Sequence, residues 1–316
     1  MLNVVAAVIH NAQGQLLIAQ RPLHKHQGGL WEFAGGKVDA NETPAQALVR
    51  ELQEELGITA THYRPLLTVE HHYPDKSVRL QVFRVTAFEG QAHGAEGQPI
   101  AWVNPEQLKN YAFPAANTPI LKAALLPSAY YITPEAHEVG GDLLAWLKPR
   151  LHVGMMLCLR AKNLSKTDYC HLAQQVAQLC SQHQASLMLH THTDLLRKIP
   201  SAVGVHVPFK ELILQESVLT EGQVGKLHKK YLAVSCHNIK ELHMAWQLGA
   251  DFATLSPVNN TLSHVEQSGM GWEIFADTVQ QAKLPVYALG GMKKEDIPLA
   301  QHYGAQGVAA IRGLFG

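Results

Sequence analysis

Glu51, Glu54 and Glu55 fall within five consecutive positions, with Arg50 beside them and Glu42 upstream. Carboxylates three and four positions apart share a helix face and repel by roughly 0.2–0.5 kcal/mol per pair, which one arginine relieves only in part. Read alone, E-x-x-E-E describes a solvated acidic face. The pair Gly35-Gly36 shortly before it changes that reading, because glycine lets a loop approach closely. Mg²⁺ prefers oxygen ligands, keeps several waters, and is shared between one or two carboxylates and substrate phosphates. The spacing therefore points to a cation site for chemistry on a phosphorylated substrate.

A helix over 44–56 would carry these groups. Thr43 can N-cap it, Pro44 suits its first turn, Gln46 completes a capping box, and Gly57 supplies a left-handed stop. Ala45, Leu48, Val49, Leu52 and Leu56 fall on one apolar arc of roughly 100°, which should face a core. Around this helix lie strand-like segments at 4–9, 16–20, 66–71, 79–88 and 101–103, an α+β pattern. Past Leu126-Pro127-Ser128 the pattern changes to alternation. Apolar strands at 130–133, 153–159, 186–190, 203–207, 232–235, 252–256, 286–289 and 307–311, with helical segments between them, read as a (β/α)₈ barrel. The expected domains are 1–127 and 128–316, and the second has little room for a last helix before Gly316.

With 316 residues, 47% of them apolar, the chain can bury two cores. Lys+Arg and Asp+Glu both number 26, so no net field draws it to nucleic acid or an anionic membrane. Cys158, Cys170, Cys180 and Cys236 form no C-x-x-C pair, and the N-terminal residues do not resemble a secretory signal. No run approaches the ~20 apolar residues of a membrane helix. A cytoplasmic protein without nucleic-acid or membrane partners is expected; oligomeric state is not readable.

Gly36, Glu42 and the run Arg50-Glu51-Leu52-Gln53-Glu54-Glu55-Leu56-Gly57-Ile58 resemble the complete signature of the Nudix hydrolases. That family cleaves a nucleoside diphosphate linked to another group, using Mg²⁺ or Mn²⁺ and water, on a mixed sheet with flanking helices. EGQPIAW from Glu96 and FPAANTPIL from Phe113 are similar to the MutT branch, which converts oxidised purine triphosphates such as 8-oxo-dGTP to the monophosphate and pyrophosphate. The resemblance implies that Gly35, through its carbonyl, with Glu51, Glu54, Glu55 and Glu96, forms the metal and water-activating set. Glu51 is favoured as general base, with Glu96 as the runner-up. It further implies phosphate or nucleotide contacts from Arg21, His26 and Lys76, and base contacts from Phe33 and Asn117. An aromatic face does pack on a purine, and an amide offers it donor and acceptor together. The structural alternatives are core packing for Phe33 and a turn or helix cap for Asn117.

From Tyr130 onward the sequence resembles thiamine phosphate synthase and its TenI relatives, through YYIT, CLRAK at Cys158, GVHV at Gly204, SCHN at Ser235, GADFATLSPV at Gly249 and YALGGM at Tyr287. The resemblance implies a phosphorylated small-molecule ligand, with Arg160 and Lys162 on a diphosphate and Thr261, Gly290 and Gly291 on a phosphate. His190-Thr191 replaces an Asn-Asp pair whose Asp binds Mg²⁺, a second metal carboxylate becomes Glu211, and His264 replaces a lysine. Such losses argue against full synthase activity. His190, His192, His206 and His237 could suggest a transition-metal site, but a solvated or phosphate-contacting cluster is preferred. A second functional reading makes the chain a thiamine-pathway protein whose first domain hydrolyses a thiamine-related diphosphate and whose barrel keeps synthase or sensor function.

Overall fold

The computed structural model describes residues 1–25, 27–74, 77–215, 230–260 and 268–316. His26, Lys76, Thr261 and His264 lie outside the described residues. Contacts divide the chain into two compact units, Met1–Leu126 and Pro127–Gly316. Among the described residues no helix is long and apolar enough to cross a membrane.

The first unit runs β1 (Leu2–Ile9), β2 (Leu16–Gln20), β3 (Trp31–Glu32), α1 (Pro44–Leu56), β4 (Thr59–His72), β5 (Ser77–Glu89), β6 (Ile100–Val103) and α2 (Thr118–Ala124). Strand β1 pairs parallel with β5, and β5 pairs antiparallel with β4, giving a mixed sheet. A second, antiparallel sheet has the order β3-β2-β6. Alternate residues of β1 feed two cores. Val5, Ala7 and Ile9 pack with Leu48, Leu52 and Leu56 of α1, whereas Ala6 and Val8 pack with Ile120 and Ala123 of α2. The sheet is therefore buried on both faces, which explains why its strands read as apolar runs rather than alternations.

Helix α1 has the expected bounds and caps. Thr43 accepts from Gln46 N–H, the reciprocal Gln46 bond completes the box, and Gly57 sits at φ 65°. Its buried stripe is Ala47, Leu48, Leu52 and Leu56; Ala45 and Val49 are only partly buried. The stripe is turned toward Ala47, which joins the core built on Val5, Ala7 and Ile9.

The second unit is a closed barrel of eight parallel strands: β7 (Ala129–Ile132), β8 (Met156–Leu159), β9 (Ser186–His190), β10 (Gly204–Pro208), β11 (Tyr231–Cys236), β12 (Phe252–Leu255), β13 (Val286–Leu289) and β14 (Gly307–Ala310). It closes through Val308–Ala129, Ala309–Tyr130 and Ala310–Tyr131 pairing. The connecting helices are α3 (Leu143–Leu147), α4 (Lys166–Gln182), α5 (Phe209–Gln215), α6 (Ile239–Gln247), α7 (Gly271–Gln280) and α8 (Ile297–His302). Between β9 and β10 a 3₁₀ segment, Thr193–Arg197, stands in place of a full helix, and after β14 the described residues form only a turn. Outward residues such as Leu157, Leu189, Val207, Val234 and Leu255 join one core with the helices. Inside, Tyr130 packs its ring against Phe252 at 5.3 Å, Tyr287 at 5.6 Å and His206 at 5.6 Å.

Candidate active site

Residues 34–38 run back along β1. Val5 N–H donates to Gly36 O at 2.8 Å, Ala7 N–H to Ala34 O at 2.8 Å, and Val38 N–H to Asn3 O at 3.1 Å. This pins the glycine pair beside the second half of α1, at Glu51 and Glu55. Gly35 adopts φ 146°, and a Cβ there would strike the Val5 carbonyl; a Cβ on Gly36 would strike the Glu51 carboxylate. Only glycine lets the backbone lie that close to the acidic face.

The loop bearing Glu96 docks on the last turn of α1, where helix carbonyls lack intrahelical partners. Ala95 N–H and the Gln98 side chain both donate to Glu55 O, at 2.9 and 2.8 Å, and His93 N–H donates to Leu56 O at 3.1 Å. Gln98 also accepts from Glu96 N–H at 2.9 Å. One amide thus satisfies the helix end and fixes the loop.

A cleft of about 570 Å³ opens between these parts, lined by Arg21, Lys25, Glu32, Phe33, Gly35, Glu51, Glu55, Glu96 and Asn117 among others. Its size is in the range of pockets that enclose small ligands, about 300–1,000 Å³. Glu54 stands apart: its side chain is 56% exposed on the helix rim, against 13% for Glu51, and it is not among the lining residues. Arg50 neutralises more of the acidic face than the spacing suggested. Its guanidinium reaches Glu42 at 2.6 Å, Glu51 at 2.9 Å, Glu54 at 3.1 Å and Asp39 at 3.8 Å.

Burial pushes the Glu55 carboxyl up to about 7; the Gly35 N–H, donating at 3.0 Å, opposes the shift, while Glu32, Glu51 and Glu96 add to it. Glu51 is also raised by burial, against the Arg50 hydrogen bond. Among the described residues no three His, Cys, Asp or Glu side chains already converge as metal ligands, and this includes the barrel histidines.

Phe33 is 3% exposed and stacks on Phe113 at 5.7 Å, so it belongs to the core and to the cleft wall at once. Asn117, 7% exposed, ends a 3₁₀ turn before α2, but its side chain makes no capping hydrogen bond. Glu32 and Lys25 were not legible as site residues. Glu32 pairs with Arg21 and is raised by burial, and Lys25 reaches Glu96 at 3.4 Å. Strand β3 has only two residues, too few for a period-2 pattern to show that Glu32 faces a cleft.

In the barrel, Arg160, Lys162, His190, Gly290 and Gly291 stand at or just past strand C-termini, the end at which such barrels build sites. Gly290 and Gly291 adopt φ 109° and 67°; a Cβ on Gly290 would come to 2.9 Å from Pro257 Cα, and one on Gly291 to 3.2 Å from Asn259 Cβ. Thr191 is held at φ 66°, costly for a β-branched side chain. Its hydroxyl meets His190 Nδ1 at 2.9 Å. A buried chain that sequence reading missed joins Tyr130 OH to His206 Nδ1 at 3.0 Å and His206 Nε2 to Ser235 Oγ at 2.7 Å.

The first unit is thus built as an enzyme for phosphorylated substrates, and the second as a TIM-type barrel. Family comparison narrows both. The NUDIX domain model matches residues 5–123, and the thiamine monophosphate synthase model matches residues 129–314. A CTP pyrophosphohydrolase of Escherichia coli (strain K12) is 42% identical over 123 residues, 39% of this chain and 90% of that protein. An 8-oxo-dGTP diphosphatase of the same strain is 38% identical over 120 residues, 38% of this chain and 93% of that protein. A putative thiamine-phosphate synthase 2 of Aquifex aeolicus (strain VF5) is 31% identical over 188 residues, 59% of this chain and 96% of that protein. The chain belongs to the Nudix hydrolases through its first unit and to the thiamine monophosphate synthase and TenI family through its second.

Proposed function

We propose that the first unit hydrolyses a nucleoside triphosphate to the monophosphate and pyrophosphate, with 8-oxo-dGTP as preferred substrate, and that the barrel binds a phosphorylated small molecule. The observation that carries the reading is one cleft lined both by Glu51, Glu55 and Glu96 and by Asn117, an amide not used as a helix cap. The donor set fits a hard divalent cation: five carboxylates, Glu32, Asp39, Glu51, Glu55 and Glu96, line the cleft, and burial with like charges beside it raises Glu55 to about 7, so that a bound cation would favour its ionised form. Glu51, Glu55, Glu96 and the Gly35 carbonyl would hold it. Bound Mg²⁺, or Mn²⁺ in its place, supplies charge neutralisation for the phosphates and a more acidic water.

Glu51 is the assigned proton acceptor, with Arg50 at 2.9 Å fixing its carboxylate. Arg21 offers a guanidinium to phosphate oxygens from the cleft wall. Asn117 hydrogen-bonds the edge of the base while the Phe33 ring packs beside it. The CTP-cleaving relative favours a second reading, a pyrimidine triphosphate in the same cleft. The test is pyrophosphate and phosphate release from 8-oxo-dGTP, dGTP, CTP and thiamine diphosphate, with Asn117→Ala in parallel. Preference for 8-oxo-dGTP that falls about tenfold or more in Asn117→Ala supports the reading. A preference for CTP installs the second reading, and cleavage of thiamine diphosphate alone overturns both.

A further inference from the structure

Past β7 the chain turns through a short 3₁₀ segment, Ala136–Val139, whose N-cap Glu135 and third residue Glu138 form a reciprocal box. Each glutamate also holds an arginine. Glu135 Oε1 accepts from Arg160 Nη1 at 3.2 Å and from Lys162 N–H at 3.1 Å. The Arg160 backbone is fixed in turn by Thr133, whose hydroxyl accepts its N–H at 2.8 Å and donates to its carbonyl at 3.0 Å. Glu138 turns the other way and pairs with Arg312, past β14. Since β7 lies between β14 and β8 in the barrel, one turn engages a cation at each neighbouring strand end.

The two pairs differ in weight. Arg312 is 64% exposed and its pairing is screened by solvent, whereas the Glu135 and Arg160 side chains are 11% and 25% exposed. A buried carboxylate fixed on Arg160 cancels much of the charge that the arginine could offer to an anion. A diphosphate brought to Arg160 would face Glu135 as a like charge. By contrast, the glycine pair Gly290-Gly291 can present backbone N–H groups, which suffice for a single phosphate.

We propose that Glu135 acts as a charge filter that fits the barrel to a phosphate monoester and excludes a diphosphate. The inference rests on the reading of the barrel as a phosphate-binding domain. Mechanically it needs no switch: the carboxylate competes with the second phosphate for the same guanidinium.

Calorimetry on the full chain in EDTA, with orthophosphate and inorganic diphosphate as probes, tests it. The proteins compared are the wild type, Glu135→Gln, Arg160→Gln, the Glu135→Gln/Arg160→Gln pair, and Gly291→Ala, which crowds the glycine cradle. Anion binding by the first unit is common to all, so differences report the barrel. Glutamine keeps shape and acceptor, and an unchanged melting temperature checks the fold. The expected result is that Glu135→Gln tightens diphosphate binding about tenfold or more and orthophosphate less than twofold, that the gain disappears in the pair, and that Gly291→Ala weakens orthophosphate. Equal effects on both anions, or no effect, overturn the filter while leaving the phosphate reading intact. A wild type in which Arg160→Gln already costs tenfold in diphosphate affinity overturns it too. Orthophosphate heats unaffected by Gly291→Ala remove the phosphate reading and the filter together.

Discussion

Glu55 shows how one carboxylate ties stability to function. Its folded-state pKa, about 7, lies above the ordinary value of 4.5, so the folded protein holds a proton that the unfolded chain releases. The stability this confers is present below about pH 4.5 and is lost as pH rises through about 7. Metal-free protein should therefore show a first-unit melting temperature that falls across that window, and Glu55→Gln should flatten the fall while abolishing hydrolysis. Differential scanning fluorimetry from pH 4.5 to 8 in EDTA, with activity measured in Mg²⁺, checks both; a wild-type slope retained in Glu55→Gln refutes the assignment. Glu54→Gln separates the rim from the cleft. With Glu54 exposed, paired with Arg50 and outside the cleft lining, its loss should reduce kcat/KM less than that of Glu55, and steady-state kinetics on 8-oxo-dGTP decides. At this scale the glutamate spacing was readable because a helix maps sequence separation onto geometry. Glu32 and Lys25 were not, since their approach depends on a two-residue strand and on loop contacts between residues distant in sequence.

Helix α1 and the loop that follows β5 illustrate what an element adds to its residues. The helix was legible to its ends because each end is written in local chemistry, a capping box and a left-handed glycine. The docking of the Glu96 loop was not, for Gln98 acts by filling a helix carbonyl, Glu55 O, 43 positions away in sequence. Two substitutions distinguish these jobs. Thr43→Ala removes an exposed cap distant from the cleft lining and should cost about 1 kcal/mol of stability with kcat/KM nearly unchanged. Gln98→Ala removes the bonds to Glu55 O and Glu96 N–H and should lower kcat/KM roughly ten- to a hundredfold through misplacement of Glu96. Urea denaturation and steady-state kinetics on both variants give the comparison, and equal kinetic losses would show that the Glu96 loop does not depend on Gln98.

Across the whole molecule the two units were separable in sequence because their strand rhythms differ, mixed pairing around α1 before the junction and regular strand–helix alternation after it. What alternation could not show is the barrel's filling. Inward positions carry Tyr130, His206, Phe252 and Tyr287, and the polar pair among them makes the barrel sensitive to acid. Burial pushes His206 down to about 4, and burial followed by the neighbouring His206 pushes His190 down to about 3. Both are neutral in the folded barrel and gain a proton near 6.5 once unfolded, so the stability they confer is complete above that value and is lost as pH falls toward 4 and 3. Each contributes a slope of about 1.4 kcal/mol per pH unit once its unfolded form is fully charged. Hydrogen exchange of the β10 and β11 amides should then report a barrel that weakens between pH 6.5 and 5, a range above most carboxylate titrations, and His206→Gln should reduce that slope, His190 and His192, whose pKa burial also lowers, supplying the rest. Protection that stays constant over this range, or a slope unchanged in His206→Gln, would mean that the buried Tyr130–His206–Ser235 chain tolerates the proton, and the barrel interior would then have to be wetter than its packing indicates.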